Sequence, residues 1–301
     1  RGTISNCSVS GNITGFGYVG GVVGMNSGGS LRDCSSEVSV AGNRFVGGIT
    51  GISSGYAAKC HSDGRIMGNT RAGGLFGSNK GFVSDSSSGA GVYGIESLGG
   101  VTGVNTGMIQ TCLATGRIRG ANRIGGIAGN SHGAVIDSVY RGNVSGYRDV
   151  IGGLVGENGN DITSCSMTGS VFGSGNSVGG LVGWNRGNST HSFSTCDVYG
   201  SGYGTGGVAG SSCGVVDSCE WTGSIYGNRS VGGLIGEKEG PVENCSASGY
   251  VSGSGIVGGL IGSNAGPLSN CSSTCNVNGE RERIGGLVGL NSGEVDGIRG
   301  R

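Results

Sequence analysis

Short apolar stations return along this chain at a fixed interval, separated by glycine, serine and asparagine. Gly-Gly pairs begin at 20, 47, 73, 99, 125, 152, 179, 206, 232, 258 and 285, an interval of 26 or 27 residues. With the first Gly of each pair as position 0, position 2 is aliphatic in all eleven copies, from Val22 and Ile49 to Leu260 and Leu287. A second aliphatic falls near position 10, as in Val83, Ile109, Ile162, Val242 and Leu268. A third falls near position 19, as in Ile66, Val92, Ile118, Val144, Val171, Val198, Ile225, Val251 and Val277. Each station is too short for a helix and lacks the helical period, whereas β-branched residues bounded by Gly or Asn read as strands. Three brief strands per repeat predict one triangular coil. Repeats of this length belong to solenoids, and a propeller blade needs about 40 residues. The prediction is all-β: a parallel β-helix (β-solenoid) of about eleven coils of 26–27 residues with three short strands each. At about 4.8 Å per coil the stack is on the order of 50 Å long.

Glycine at position 4 recurs in all eleven copies, from Gly24 to Gly289. Glycines in such a coil are expected where backbones approach closely and at sharp corners, where they supply positive φ. Position 6 is repeatedly asparagine: Asn26, Asn79, Asn105, Asn158, Asn185, Asn264 and Asn291. Stacked amides of this kind bond along the axis as a ladder.

Eleven cysteines change the picture less than their number suggests. Eight share one station near position 13: Cys7, Cys34, Cys60, Cys112, Cys165, Cys219, Cys245 and Cys271. Cys34 fits after a one-residue insertion, and Ser86, Ser138 and Ser192 fill the station elsewhere. A slot that accepts Cys or Ser is small and faces inward. Stacked Cβ atoms about 4.8 Å apart exceed the usual disulfide separation, so these thiols are expected to be buried, mostly free, and to pack as small hydrophobes. Cys196 and Cys275 share position 17 three coils apart, and Cys213 has no evident partner.

Composition narrows the function. The chain has 73 Gly and 2 Pro in 301 residues, and 19 basic residues balance 19 acidic ones. Periodic glycine argues for order, and zero net charge gives no reason to expect nucleic acid as a partner. No apolar run is long enough to insert in a membrane. The three histidines, His61, His132 and His191, fall at different positions of different coils. No zinc, P-loop or nucleophile-elbow motif occurs, and an acidic ladder for calcium is missing, so neither cofactor nor metal is expected. Equal coil lengths leave no inserted loops to wall a cleft, and the threonines form no regular ice-binding array. The chain therefore reads as no enzyme. One outward column is distinctive: position 20 is aromatic in three consecutive coils, Phe172, Tyr199 and Tyr226. These three are the candidate ligand contacts, stacking on a sugar ring or a partner protein; the plainer reading is cross-rung stacking.

The segments VGGLVGWN at 178–185, VGGLIG at 231–236, VGGLIGSN at 257–264 and IGGLVGLN at 284–291 resemble the GLUG repeat. That family comprises glycine-rich repeats of bacterial surface and secreted proteins, including adhesin-like proteins and the region upstream of zinc peptidases that cleave immunoglobulin A. The resemblance implies an extracellular or cell-surface setting and a role in attachment or spacing. The peptidase chemistry does not carry over, because its zinc motif has no counterpart here. Thr205 before Gly206 and Lys238 in place of the usual Asn depart from the pattern and are expected to distort their coils.

Residues 1–301 read as a single solenoid, with Arg1 and Arg301 both falling inside a repeat and no capping segment at either end. Uncapped coils predict a larger parent polypeptide or end-to-end self-association into a filament. The function expected is a non-enzymatic structural or adhesive array, a stalk or a lateral binding surface. A host or matrix glycan or protein is the expected partner. A carbohydrate-binding module using the aromatic strip is the alternative.

Overall fold

The computed structural model describes residues 2–281 and 283–300. Every strand pairing among them is parallel, and each links a residue to its equivalent one coil away. Gly20 pairs with Gly47, Gly47 with Gly73, Gly73 with Gly99 and Gly99 with Gly125. The same register continues from Gly152 through Gly179, Gly206, Gly232 and Gly258 to Gly285. The protein is a parallel β-solenoid of about eleven coils, with no helix among the described residues.

Three sheets run along the axis. The first has eleven four-residue strands, Val23–Asn26, Thr50–Ser53 and onward to Val288–Asn291. The second has twelve strands of two or three residues, from Thr3–Ser5 to Val295–Asp296. The third carries longer strands: Ser35–Gly47 and His61–Gly73 have 13 residues each, and later coils divide this stretch, as in Ser166–Gly173 and Val178–Gly179. The apolar stations at positions 2, 10 and 19 line one continuous core with a fourth column just before the Gly-Gly pairs, including Val46, Ala72, Leu98, Ile124 and Ile151. Thr205 takes this place in one coil and keeps register with Val178 and Val231, so its coil is not distorted.

Each corner is closed by different chemistry. At the first, asparagine amides join the coils. Asn79 Nδ2 donates to Asn105 Oδ1 at 2.9 Å and to the Gly81 carbonyl at 3.3 Å, and the Gly81 N–H donates back to Asn79 Oδ1. Asn158 repeats this with Asn185 at 2.8 Å, and Asn264 with Asn291 at 2.7 Å. Where serine stands in the column the amide donates to its hydroxyl, as Asn26 to Ser53, Asn105 to Ser131 and Asn185 to Ser212. These amides are buried except Asn291, in the last coil, which is exposed.

At the second corner stands the Cys/Ser station. The residue before it is left-handed in eleven successive coils, and none of the eleven is glycine: Asn6, Asp33, Lys59, Asp85, Thr111, Asp137, Ser164, His191, Ser218, Asn244 and Asn270, with φ between 48° and 55°. Gly297 holds the twelfth such corner. This corrects the expectation that glycine supplies positive φ at the corners. Asn and Asp tolerate that conformation, but Lys, Thr and His adopt it only where surrounding bonds hold them. Those bonds come from the next residue. The Cys60 thiol donates to the Ala58 carbonyl, and Cys112, Cys165 and Cys271 do the same to the carbonyl two residues back. Their counterparts one coil on accept a backbone N–H: Cys60 N–H donates to Ser86 Oγ, Cys112 N–H to Ser138 Oγ and Cys219 N–H to Cys245 Sγ. The thiols are hydrogen-bonding staples as well as small hydrophobes, which is why serine substitutes.

The third corner is also left-handed at non-glycine residues in six coils, Phe45, Arg71, Ser97, Arg123, Val150 and Ser177, and the glycines that follow serve close approach. A Cβ on Gly47 would lie 2.2 Å from the Thr50 carbonyl oxygen and 2.6 Å from that of Leu75. On Gly77, at position 4, it would lie 2.5 Å from the Val46 backbone nitrogen. Two stretches of main chain thus meet with no side chain between them. The second Gly of the pair makes room for the core: a Cβ on Gly126 would strike Tyr140 at 2.2 Å, and one on Gly207 would strike Trp221 at 2.1 Å. Both aromatics are buried with their polar atoms satisfied, Tyr140 Oη donating to the Gly116 carbonyl and Trp221 Nε1 to that of Cys196.

Lys238 does not distort its coil. Its strand Ile235–Lys238 keeps register with Ile261–Asn264, and its side chain is 2% exposed. The ammonium takes the place of an asparagine amide, donating to Asn264 Oδ1 at 2.9 Å and to the Pro267 carbonyl at 2.6 Å. Burial lowers its pKa from 10.5 to about 8. A base depressed on folding penalises the native state below pH 8, and the penalty fades as pH rises from about 8 to 10.5. Lys238→Asn should therefore melt at a higher temperature than the parent at pH 7. The gap should shrink toward pH 10 in thermal melts; a gap that does not change with pH would refute the assignment.

Candidate functional site

The aromatic column lies on the outer side of the third sheet. Phe172 pairs with Tyr199 and Tyr199 with Tyr226 in register, with 42%, 37% and 44% of each residue exposed. The rings stack on one another: Phe172 and Tyr199 centroids lie 4.8 Å apart at 5°, Tyr199 and Tyr226 5.3 Å apart at 9°. Tyr250 closes one end at 5.8 Å, tilted by 52°. Because the coil rise equals a stacking distance, both faces of Tyr199 are covered by its neighbours. Solvent meets mainly ring edges, so a sugar cannot lie flat on Tyr199. The arrangement suits cross-rung stabilisation, each stacked pair contributing about 0.5–1.5 kcal/mol.

The cysteine column is chemically quiet. All eleven cysteines are free, and only Cys213 is exposed, with Cys7 half-buried. Burial pushes the Cys60 thiol up to about 11 and those of Cys112, Cys165 and Cys196 up to about 12. The hydrogen bonds along the column raise Cys245 and Cys271, with burial adding to the effect. A protonated, enclosed thiol is a poor nucleophile and a poor metal ligand. Among the described residues no group of three or more His, Cys, Asp or Glu converges as a metal site.

One constellation was not read from the sequence. His61 Nδ1 lies 2.8 Å from Ser87 Oγ, and His61 Nε2 lies 2.8 Å from Asp63 Oδ2. The signal was present in the spacing, since Asp63 shares a strand face with His61 and Ser87 stands 26 residues on. Yet the imidazole and carboxylate are about half exposed, and the Ser87 N–H is already bonded to the Cys60 carbonyl. The three groups form a cross-rung hydrogen-bond chain.

The second unforeseen feature lies along the glycine corner. Seven of the sixteen arginines fall within the four residues at positions −5 to −2: Arg44, Arg71, Arg123, Arg148, Arg229, Arg281 and Arg283. The same positions also hold Glu96, Asp149, Glu280 and Glu282, so the edge carries an excess of three positive charges in a chain with no net charge. There Arg71 lies 4.7 Å and Arg44 5.6 Å from the Phe45 ring centroid, and Arg229 lies 4.3 Å from that of Tyr203. Arg123 is clamped by Glu157 at 2.7 Å and Glu96 at 2.6 Å, and Glu157 also holds Arg186 at 3.3 Å. The bond to Glu157 raises the Arg123 pKa further above its ordinary value. Beside this network an open trough of about 670 Å³ spans the coils from Asn43 to His132. The edge escapes a search by columns because only six of the eleven coils contribute an arginine, one of them two, and the position shifts by up to two residues.

The chain matches no family model, no curated protein and no solved structure.

Proposed function

We propose that this chain is a non-enzymatic structural and adhesive array of a secreted or cell-surface protein, presenting its long lateral faces to a partner or holding other domains at a distance. The observation that carries this reading is the unbroken parallel register, with Gly-Gly pairs stacked from Gly20 to Gly285 at intervals of 26 or 27 residues. With no inserted loops, the coils offer long flat faces and edges in place of a walled reaction chamber. Amide and thiol ladders tie each coil to the next, a construction suited to bearing load along the axis. The GLUG-like segments support the same setting, and burial of most thiols protects them from an oxidising exterior. Among the described residues no helix is long and apolar enough to cross a membrane.

Beads coated with the chain should attach to epithelial cells or matrix proteins above albumin-coated beads; equal attachment would refute the adhesive role. Changing Phe172, Tyr199 and Tyr226 together to Ser should leave that attachment intact while costing about 1–3 kcal/mol of stability in urea unfolding. Lost attachment with unchanged stability would restore the strip as the binding site.

A further inference from the structure

We propose that the trough on the glycine-corner edge binds an acidic sugar residue, its carboxylate bridging Arg44 and Arg71 and its hydroxyls meeting Thr70 and Asn130. This deepens the adhesive reading by naming a ligand class and a place. Both guanidinium groups lie within 5.6 Å of one ring centroid, so they stand within about 10 Å of each other. Neither has a carboxylate partner among the described residues, whereas Arg123 in the same trough has two. Two uncompensated cations held on one aromatic repel, and an anion between them removes that repulsion; planar guanidinium groups also suit the geometry of a carboxylate. Asn130 Oδ1 supplies a second, independent sign: it is buried against the trough wall with no hydrogen-bond partner. Asn130 lines the trough, so turning its amide outward would free this orphan acceptor to take a sugar hydroxyl at little cost.

The remaining lining favours a sugar over a peptide. Four amide or hydroxyl residues, Asn43, Thr70, Ser97 and Asn130, line the trough beside its charged groups, and Val104 is its one apolar residue. Its volume, about 670 Å³, falls within the range of about 300–1,000 Å³ common for small-molecule sites. The Glu96–Arg123–Glu157 clamp holds one wall in place, so little ordering is needed on binding.

The test is calorimetric titration of the whole 301-residue chain with trigalacturonate, with the neutral galactose trimer and with sodium sulfate at matched ionic strength. Trigalacturonate should bind with a millimolar or tighter Kd, and the neutral trimer at least tenfold more weakly. Arg44→Gln combined with Arg71→Gln should weaken trigalacturonate at least tenfold, with the melting temperature unchanged because both side chains are exposed. Arg119→Gln, on an exposed strand position of another face, should have no effect. Asn130→Ala should weaken the uronate severalfold. Equal affinity for the charged and neutral trimers, or wild-type affinity in the double variant, would overturn the proposal. So would sulfate binding as tightly as the uronate, since the site would then be a general anion site. Failure here with bead attachment preserved removes the trough alone, and loss of attachment would remove the adhesive role.

Discussion

Raising the pH above 9 should unfold this protein steeply, although its net charge near neutrality is zero. The cause lies in the buried thiols. Cys112, Cys165 and Cys196 titrate at about 12 in the native state, against an ordinary value of 9.0. A group whose pKa rises on folding holds its proton more tightly in the native chain. Its contribution is intact below pH 9 and is lost as pH climbs through 9 toward 12. Each such thiol removes about 1.4 kcal/mol per pH unit, so these three together remove about 4 kcal/mol per unit. Lys238 acts in the opposite sense between about 8 and 10.5, but a single group recovers only about a third of that slope. The thiols win. Denaturant midpoints measured by circular dichroism from pH 7 to 11 should be level to about pH 9 and then collapse. Cys112→Ser with Cys165→Ser should remove about a third of the fall, since Cys60, Cys196, Cys245 and Cys271 are raised as well. The variant should fold because Ser86, Ser138 and Ser192 already serve this corner in other coils. An unchanged alkaline slope in that double variant would remove the thiols as the cause.

Gly152→Ala should be among the most damaging single substitutions available. An added Cβ would lie 1.9 Å from the Val155 carbonyl oxygen and 2.6 Å from the Gly183 nitrogen. Neither atom can yield as a flexible side chain would. Both belong to main chain already paired to neighbouring coils, so relief requires parting two sheets in the middle of the stack. Ordinary overpacking costs about 1–3 kcal/mol, and this contact should cost about 4 kcal/mol or more. In a stack where each coil depends on its neighbours, the loss should appear as a second, low-denaturant transition or as faster amide exchange in the central coils. Gly17→Ala is the control: a Cβ there meets nothing within 4 Å, and its stability should stay within about 0.5 kcal/mol of the parent. Equal behaviour of the two variants would show that the Gly-Gly pairs are not contact points.

Much of this architecture was legible as columns. Position 2 is aliphatic in every coil and lands in the core, and the asparagines and cysteines recur at one position each and stack as ladders. Stacking multiplies a small signal: a residue seen eleven times at one register reports one environment eleven times. The left-handed corner was not legible, because its occupants run from Asp33 to Lys59, Thr111 and His191 and share a conformation but no chemistry. The clustering of Arg44, Arg71 and Arg123 was missed for a related reason. Each belongs to a different coil, and no single repeat contains the trough.

Reading residues alone was thus enough to establish the period, the parallel stacking and the inward columns, because burial and register impose the same demand on every repeat. Only the folded chain decided how each corner is held, that Lys238 stands in for an amide, that the aromatic rings cover one another, and where uncompensated charge accumulates. Those outcomes depend on distances between side chains of successive coils, and composition and spacing along one chain do not contain such distances.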